Sequence, residues 1–113
     1  MHRAPSLQAF KADFFRALAH PIGIRILETL GAGYRSVQDL QEARDLEQPI
    51  VSQQLAVLRS KNIVTSRKVG TTVRYALSDP LITKLLMLAR EIFNNHLVDS
   101  QSMLKELQRE ARR

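Results

Sequence analysis

The chain has 113 residues, no cysteine, and 17 Lys and Arg against 11 Asp and Glu, giving a formal charge of +6 and a pI near 10.3. That length fits a single domain over 1–113, and the missing cysteines exclude a disulfide framework, a thiolate metal site and a cysteine nucleophile. No apolar run approaches the roughly 18 residues of a membrane span, and the start, MHRAPSLQAFK, lacks the apolar core of a secretory signal, so a cytoplasmic protein is expected.

The excess charge is local. Residues 1–47 carry equal numbers of acids and bases, and residues 79–113 are nearly balanced. Residues 48–78 hold Arg59, Lys61, Arg67, Lys68 and Arg74 with no acid at all. An acid-free basic stretch is the footprint of a polyanionic partner.

In chain order, Leu7, Phe10, Phe14 and Leu18 share one face of a helix over Ser6–Leu18. His20-Pro21 interrupts it, because a residue before proline is pushed out of the helical region. Pro21 then suits the first turn of a second helix that buries Ile22, Ile26, Leu27 and Leu30 and ends at Gly31 and Gly33. Ser36 is placed to cap a short third helix carrying Val37 and Leu40. Gln41–Gln48 is polar and reads as a turn. A fourth helix runs from Pro49 to about Lys61, closed by a left-handed Asn62. The period then becomes two. Ile63–Val69 and Thr72–Leu77 are predicted strands joined at Gly70-Thr71, where glycine first suits a type II′ turn. Asp79-Pro80 starts a last long helix with more apolar residues than one core stripe needs. Its pattern thins after Asn94-Asn95, and residues 108–113 are expected to fray.

The order helix, helix, helix, helix, strand, strand, helix describes a mainly α winged helix-turn-helix with a small β-hairpin wing. At about 100° per residue, Val51, Leu55 and Leu58 fall together on the fourth helix, while Pro49, Ser52, Gln53, Ala56 and Ser60 lie opposite. That outer face is polar and uncharged, which suits close approach to base edges, and glutamine can pair with adenine through two hydrogen bonds. Gln48, Ser52 and Gln53 are therefore the candidate base readers. The two-residue turn sets Arg67 opposite Arg74, a repulsive pair that a duplex phosphate between them would relieve. The full candidate DNA-binding set is Gln48, Pro49, Ser52, Gln53, Gln54, Arg59, Lys61, Arg67, Lys68, Thr71, Thr72 and Arg74.

With LAHPIGIRIL at Leu18–Leu27, VSQQLAVLR at Val51–Arg59 and RKVGTTVRYALSD at Arg67–Asp79, residues 10–97 resemble the arsenic-repressor (ArsR/SmtB) family of winged-helix regulators. The resemblance implies a sequence-specific transcription regulator acting as a homodimer on an inverted-repeat operator in double-stranded DNA. It implies a dimer joined by the first and last helices, for which Leu7, Phe10, Phe14, Leu85, Leu88, Ala89, Ile92 and Phe93 are the candidate contacts. Many members sense metals. At the positions where the family carries its ligands, this chain has Ser36 and Gln38 for a Cys-x-Cys pair, and Asp79, Leu81, Ile92 and Asn95 for an Asp/His/His/Glu set. One carboxylate cannot make a four-ligand site, so no cofactor is required. His20 is expected to serve a structural hydrogen bond. His96, Asp99 and His2 leave open a weak Ni²⁺ or Zn²⁺ site, and an apolar small-molecule effector between first and last helices is equally open. The chain carries no phosphate loop, GxSxG elbow or HExxH pair, so it is not expected to be an enzyme. A winged helix used only for protein contact is the remaining alternative.

Overall fold

The computed structural model describes residues 6–112. They form α1 (Leu7–Leu18), α2 (Pro21–Leu30), β1 (Arg35–Ser36), α3 (Val37–Arg44), α4 (Gln48–Ser60), β2 (Val64–Val69), β3 (Thr72–Leu77) and α5 (Leu81–Ala111).

Short-range chemistry sets most of these boundaries. The Ala9 amide donates to Ser6 Oγ ahead of α1, and the Ile22 amide donates to His20 Nδ1 at 3.1 Å ahead of α2. Because Nδ1 accepts there, the imidazole proton of His20 resides on Nε2. Ser36 and Asp39 form a capping box: the Asp39 amide donates to Ser36 Oγ, and the Ser36 amide donates to Asp39 Oδ2. Asp45 (φ 52°) and Asn62 (φ 57°) take the left-handed conformation after α3 and α4. The Leu81 amide donates to Asp79 Oδ1 at 2.9 Å, so Asp79 caps α5.

The structure corrects several boundaries. The polar segment expected as a turn over Gln41–Gln48 is helical through Arg44, and α4 already begins at Gln48, leaving a tight link. The Arg44 side chain explains the extension. Its Nε donates to Thr29 Oγ1, and its carbonyl accepts from Arg25, so the end of α3 is fastened to α2. A strand not foreseen, β1, adds to the hairpin in the order β1-β3-β2, all antiparallel. The fraying expected over 108–113 is not seen through Ala111; residue 113 lies outside the described residues. Met103–Ala111 consists of strong helix formers with no breaker among them, which favours continuation.

Up to Ile82 the chain forms one compact unit, and from Thr83 on it forms a second, made of α5. In the first unit Ile26, Leu27, Leu40, Val51, Leu55, Leu58, Ile63 and Val64 are all fully buried, so α2, α3, α4 and the start of the hairpin share one core. Burial of each such side chain is worth about 1.5–3 kcal/mol relative to leaving it in water.

The Ser36 backbone amide and hydroxyl, aided by the charges of Arg74 and Arg35 and opposed by desolvation, hold the Asp39 carboxyl below its ordinary value of 3.8. A depressed acid stabilises the fold above its unfolded pKa, and that contribution is lost as pH falls through the folded pKa. Asp39→Asn should therefore lower the urea midpoint at neutral pH and match wild type in acid well below 3.8. Ser36→Ala should cost about 1 kcal/mol.

Candidate nucleic-acid interface

α4 presents its residues in two groups. Val51, Leu55 and Leu58 point into the core, and Pro49, Gln53, Ala56, Arg59 and Ser60 are exposed. Ser52 is half-buried, and its Oγ accepts a 3.0 Å hydrogen bond from Gln48 Nε2 one turn earlier. Gln54 departs from the expected set. It is 8% exposed, and its Oε1 lies 3.4 Å from where a Cβ on Gly23 would stand. Lying three residues after Val51 and one before Leu55, it falls on the inward side, against α2, and is not a surface reader.

Lys61 is also otherwise engaged. Its ammonium pairs with Asp13 Oδ2 of α1, with Arg16 at 3.4 Å on the other carboxylate oxygen. The Lys61 hydrogen bond, then the Lys61 and Arg16 charges, hold Asp13 below the usual carboxylate range against the opposing effect of desolvation. Lys61 therefore braces α1 against the end of α4.

On the hairpin, Arg67 does face Arg74, with Val69 opposite Thr72 beyond them. Gly70 (φ +64°) leads the turn, and Thr71 has no positive φ, as a type II′ turn requires. The supposed repulsion is nevertheless compensated within the protein. The Arg67 guanidinium lies 4.3 Å from the centroid of the Tyr34 ring. Arg74 pairs with Ser36 of β1 on its other side and lies in the field of Asp39. Sequence reasoning missed Tyr34 and β1 together, because a two-residue strand carries no periodicity.

Among the described residues, Asp13 is the only acid in a salt bridge, so Arg59, Arg67, Lys68 and Arg74 hold no ion pair. Thr71 and Thr72 are exposed at the hairpin tip. Arg35, Asp39, Glu42, Tyr34, Ala43 and Arg74 line an open depression of about 510 Å³ whose charges are mixed in sign. That lining favours neither an anion nor an apolar ligand.

Three of the positions compared with metal ligands, and His20, make hydrogen bonds within the fold, while Leu81, Ile92 and Asn95 are exposed. Ser36 is in the capping box, Gln38 donates to Glu42 at 3.3 Å, Asp79 caps α5 and His20 caps α2. His96 and Asp99 are exposed on α5, and His2 lies outside the described residues. Among the described residues, no three His, Asp or Glu side chains gather into a metal-binding group. Of the expected dimer contacts, Leu7 and Phe10 on α1 are exposed and Phe14 is half-buried. On α5, Leu88, Ile92 and Phe93 are exposed while Leu85 and Ala89 are half-buried.

Residues 20–66 match the model of the bacterial regulatory protein, arsR family. Over 102 residues the chain is 41% identical to the HTH-type transcriptional regulator Rv0081 of Mycobacterium tuberculosis, spanning 89% of this chain and 90% of that one. The chain belongs to the arsR family. The crystal structure of Rv0081 superposes on this member with a TM-score of 0.77, covering 86% of this chain and 98% of that chain. A homodimeric winged helix-turn-helix DNA-binding domain from Mycobacterium bovis, solved by NMR, gives a TM-score of 0.71 at 26% identity, covering 86% and 94%. The probable mercury resistance operon repressor of Streptomyces lividans is 38% identical over 79 residues, covering 70% of this chain and 63% of that one. This arsR-family chain is a winged helix-turn-helix DNA-binding transcription regulator.

The Arg67 guanidinium sits over the Tyr34 ring although it faces Arg74 across the hairpin. Arg67→Ala should cost about 0.5–1 kcal/mol in urea unfolding, the worth of an exposed cation–π contact. A variant more stable than wild type would mean that repulsion from Arg74 dominates.

Proposed function

We propose that this regulator acts as a homodimer, each protomer laying α4 in a major groove and its hairpin along the flanking backbone. The observation that carries the reading is the pairing of an uncharged outer face on α4 with four cations that, among the described residues, hold no salt bridge, in a stretch free of acids. Gln48, Ser52 and Gln53 read base edges from the first turns, where a recognition helix meets them. Arg59, Arg67, Lys68, Thr71, Thr72 and Arg74 hold phosphates, supplying position and affinity without sequence information. Gln54 and Lys61 take no direct part. Two-fold symmetry gives an inverted-repeat operator with half-sites about one helical turn, 10–10.5 bp, apart.

The apolar residues exposed on α1 and α5, among them Phe10, Leu88, Ile92 and Phe93, support dimerisation through those helices. DNA binding takes place in the cytoplasm and needs no metal at the family's ligand positions, where Ser36, Gln38, Leu81, Ile92 and Asn95 stand.

DNA affinity should fall steeply with salt, and chelator should leave it unchanged. Lys68→Ala should weaken binding to all sequences and lower the salt slope by about one contact per protomer. Gln53→Ala should flatten preference at one operator position and spare bulk binding. A shallow salt slope points instead to a protein partner.

Sedimentation should give a dimer at micromolar concentration, and Ala89→Arg should split it. A stable wild-type monomer overturns the dimeric reading.

A further inference from the structure

With α4 as the major-groove helix, the reading on which this inference rests, the chemistry of its outer face goes further than polarity. In that groove each base pair displays its own pattern. Guanine offers two acceptors, usually met by Arg or Lys; cytosine offers an amino donor, met by Asp or Glu. Adenine offers one acceptor and one donor, met by Asn or Gln, and thymine offers a methyl group, met by apolar side chains.

Gln48, Pro49, Ser52, Gln53, Ala56 and Ser60 stand on the outward part of α4 beside exposed Ile50 and Val57, and none of them is ionisable. The cations of this helix are not placed to substitute. Arg59 lies in the last turn, away from the turns that meet bases, and Lys61 is held by Asp13. The side chains that usually select guanine or cytosine are therefore missing from this surface.

What is present is matched to adenine and thymine. The hydrogen bond from Gln48 Nε2 to Ser52 Oγ uses one amide hydrogen of Gln48. It leaves the other N–H and the carbonyl oxygen, the complement of adenine N7 and N6–H. Against guanine the same edge would set the Gln48 oxygen beside a second acceptor, with no donor for it. Tying the amide to Ser52 also reduces the ordering that binding would otherwise require. Ser52, having accepted, keeps its O–H to donate to a purine N7 or to thymine O4. Pro49 and Ala56 are exposed beside these groups with nothing to offer but carbon.

We propose that the base pairs beneath α4 are A·T, adenine being read by Gln48 held by Ser52 and by Gln53, and thymine by methyl contact with Pro49 and Ala56.

The test is selection of bound sequences by the wild-type protein from a duplex library with a randomised core, followed by base analogues in the selected site. A·T pairs should occupy the positions under α4. Replacing the adenine read by Gln48 with 7-deazaadenine, which lacks the N7 acceptor, should weaken wild-type binding about tenfold. Gln48→Ala should lose that sensitivity, binding the natural and the 7-deazaadenine sites equally well. Ser52→Ala should lose part of it, and Ser52→Thr, which retains the hydroxyl, should restore it. Deoxyuridine in place of thymine should weaken wild-type binding through loss of the methyl group alone. G·C pairs at these positions, or an analogue effect unchanged in Gln48→Ala, would overturn the inference while leaving the steep salt slope intact. Absence of salt-dependent binding would remove the inference together with the reading beneath it.

Discussion

Val51, Leu55 and Leu58 leave α4 a single rotational setting. Each is fully buried, and each would cost about 1.5–3 kcal/mol to expose, against a total stability of about 5–15 kcal/mol for a typical domain. Turning the helix by one residue would bring these side chains out and drive Ser52 or Gln53 in, so the core decides which residues meet a ligand. Gln54, packed beside Gly23, holds the same setting from the α2 side. The chemistry of the outer face is thus a consequence of packing on the inner one.

The hairpin is steadied by a different balance. Two arginines face each other across it, an arrangement that should weaken a two-stranded ribbon. The short strand β1 resolves this by bringing Tyr34 beneath one guanidinium and Ser36 beside the other, while the Asp39 charge acts on the latter. Among the described residues neither arginine forms a salt bridge, so neither charge is neutralised by an acid of the protein. Stability and binding therefore do not oppose each other here as strongly as the sequence suggests.

Features governed by neighbouring residues were legible in the sequence. The inward set of α4, the left-handed Asn62, the turn at Gly70-Thr71 and the Asp79 cap each follow from local spacing or backbone geometry. The rest required distant partners. The tie of Lys61 to Asp13 spans 48 positions, and the contact of Arg67 with Tyr34 crosses from the hairpin to the approach of β1. α3 outran its expected end because Arg44 found partners on α2. Gln54 was legible in principle, since the wheel already places it inward, but its polarity argued for the surface.

The 31 residues of α5 span about 46 Å at the rise of an α-helix. From Arg90 to Arg112 every residue is exposed in the single chain. A helix without tertiary cover depends on its own propagation, which in water is marginal even for good sequences. Helix–coil equilibrium and self-association are then linked in this segment, because any partner that covers the apolar stripe also favours the hydrogen-bonded state. Far-UV ellipticity should accordingly rise with protein concentration, and amide exchange along α5 should slow over the same range. In the proposed dimer, the length of α5 would make secondary structure itself an optical readout of assembly.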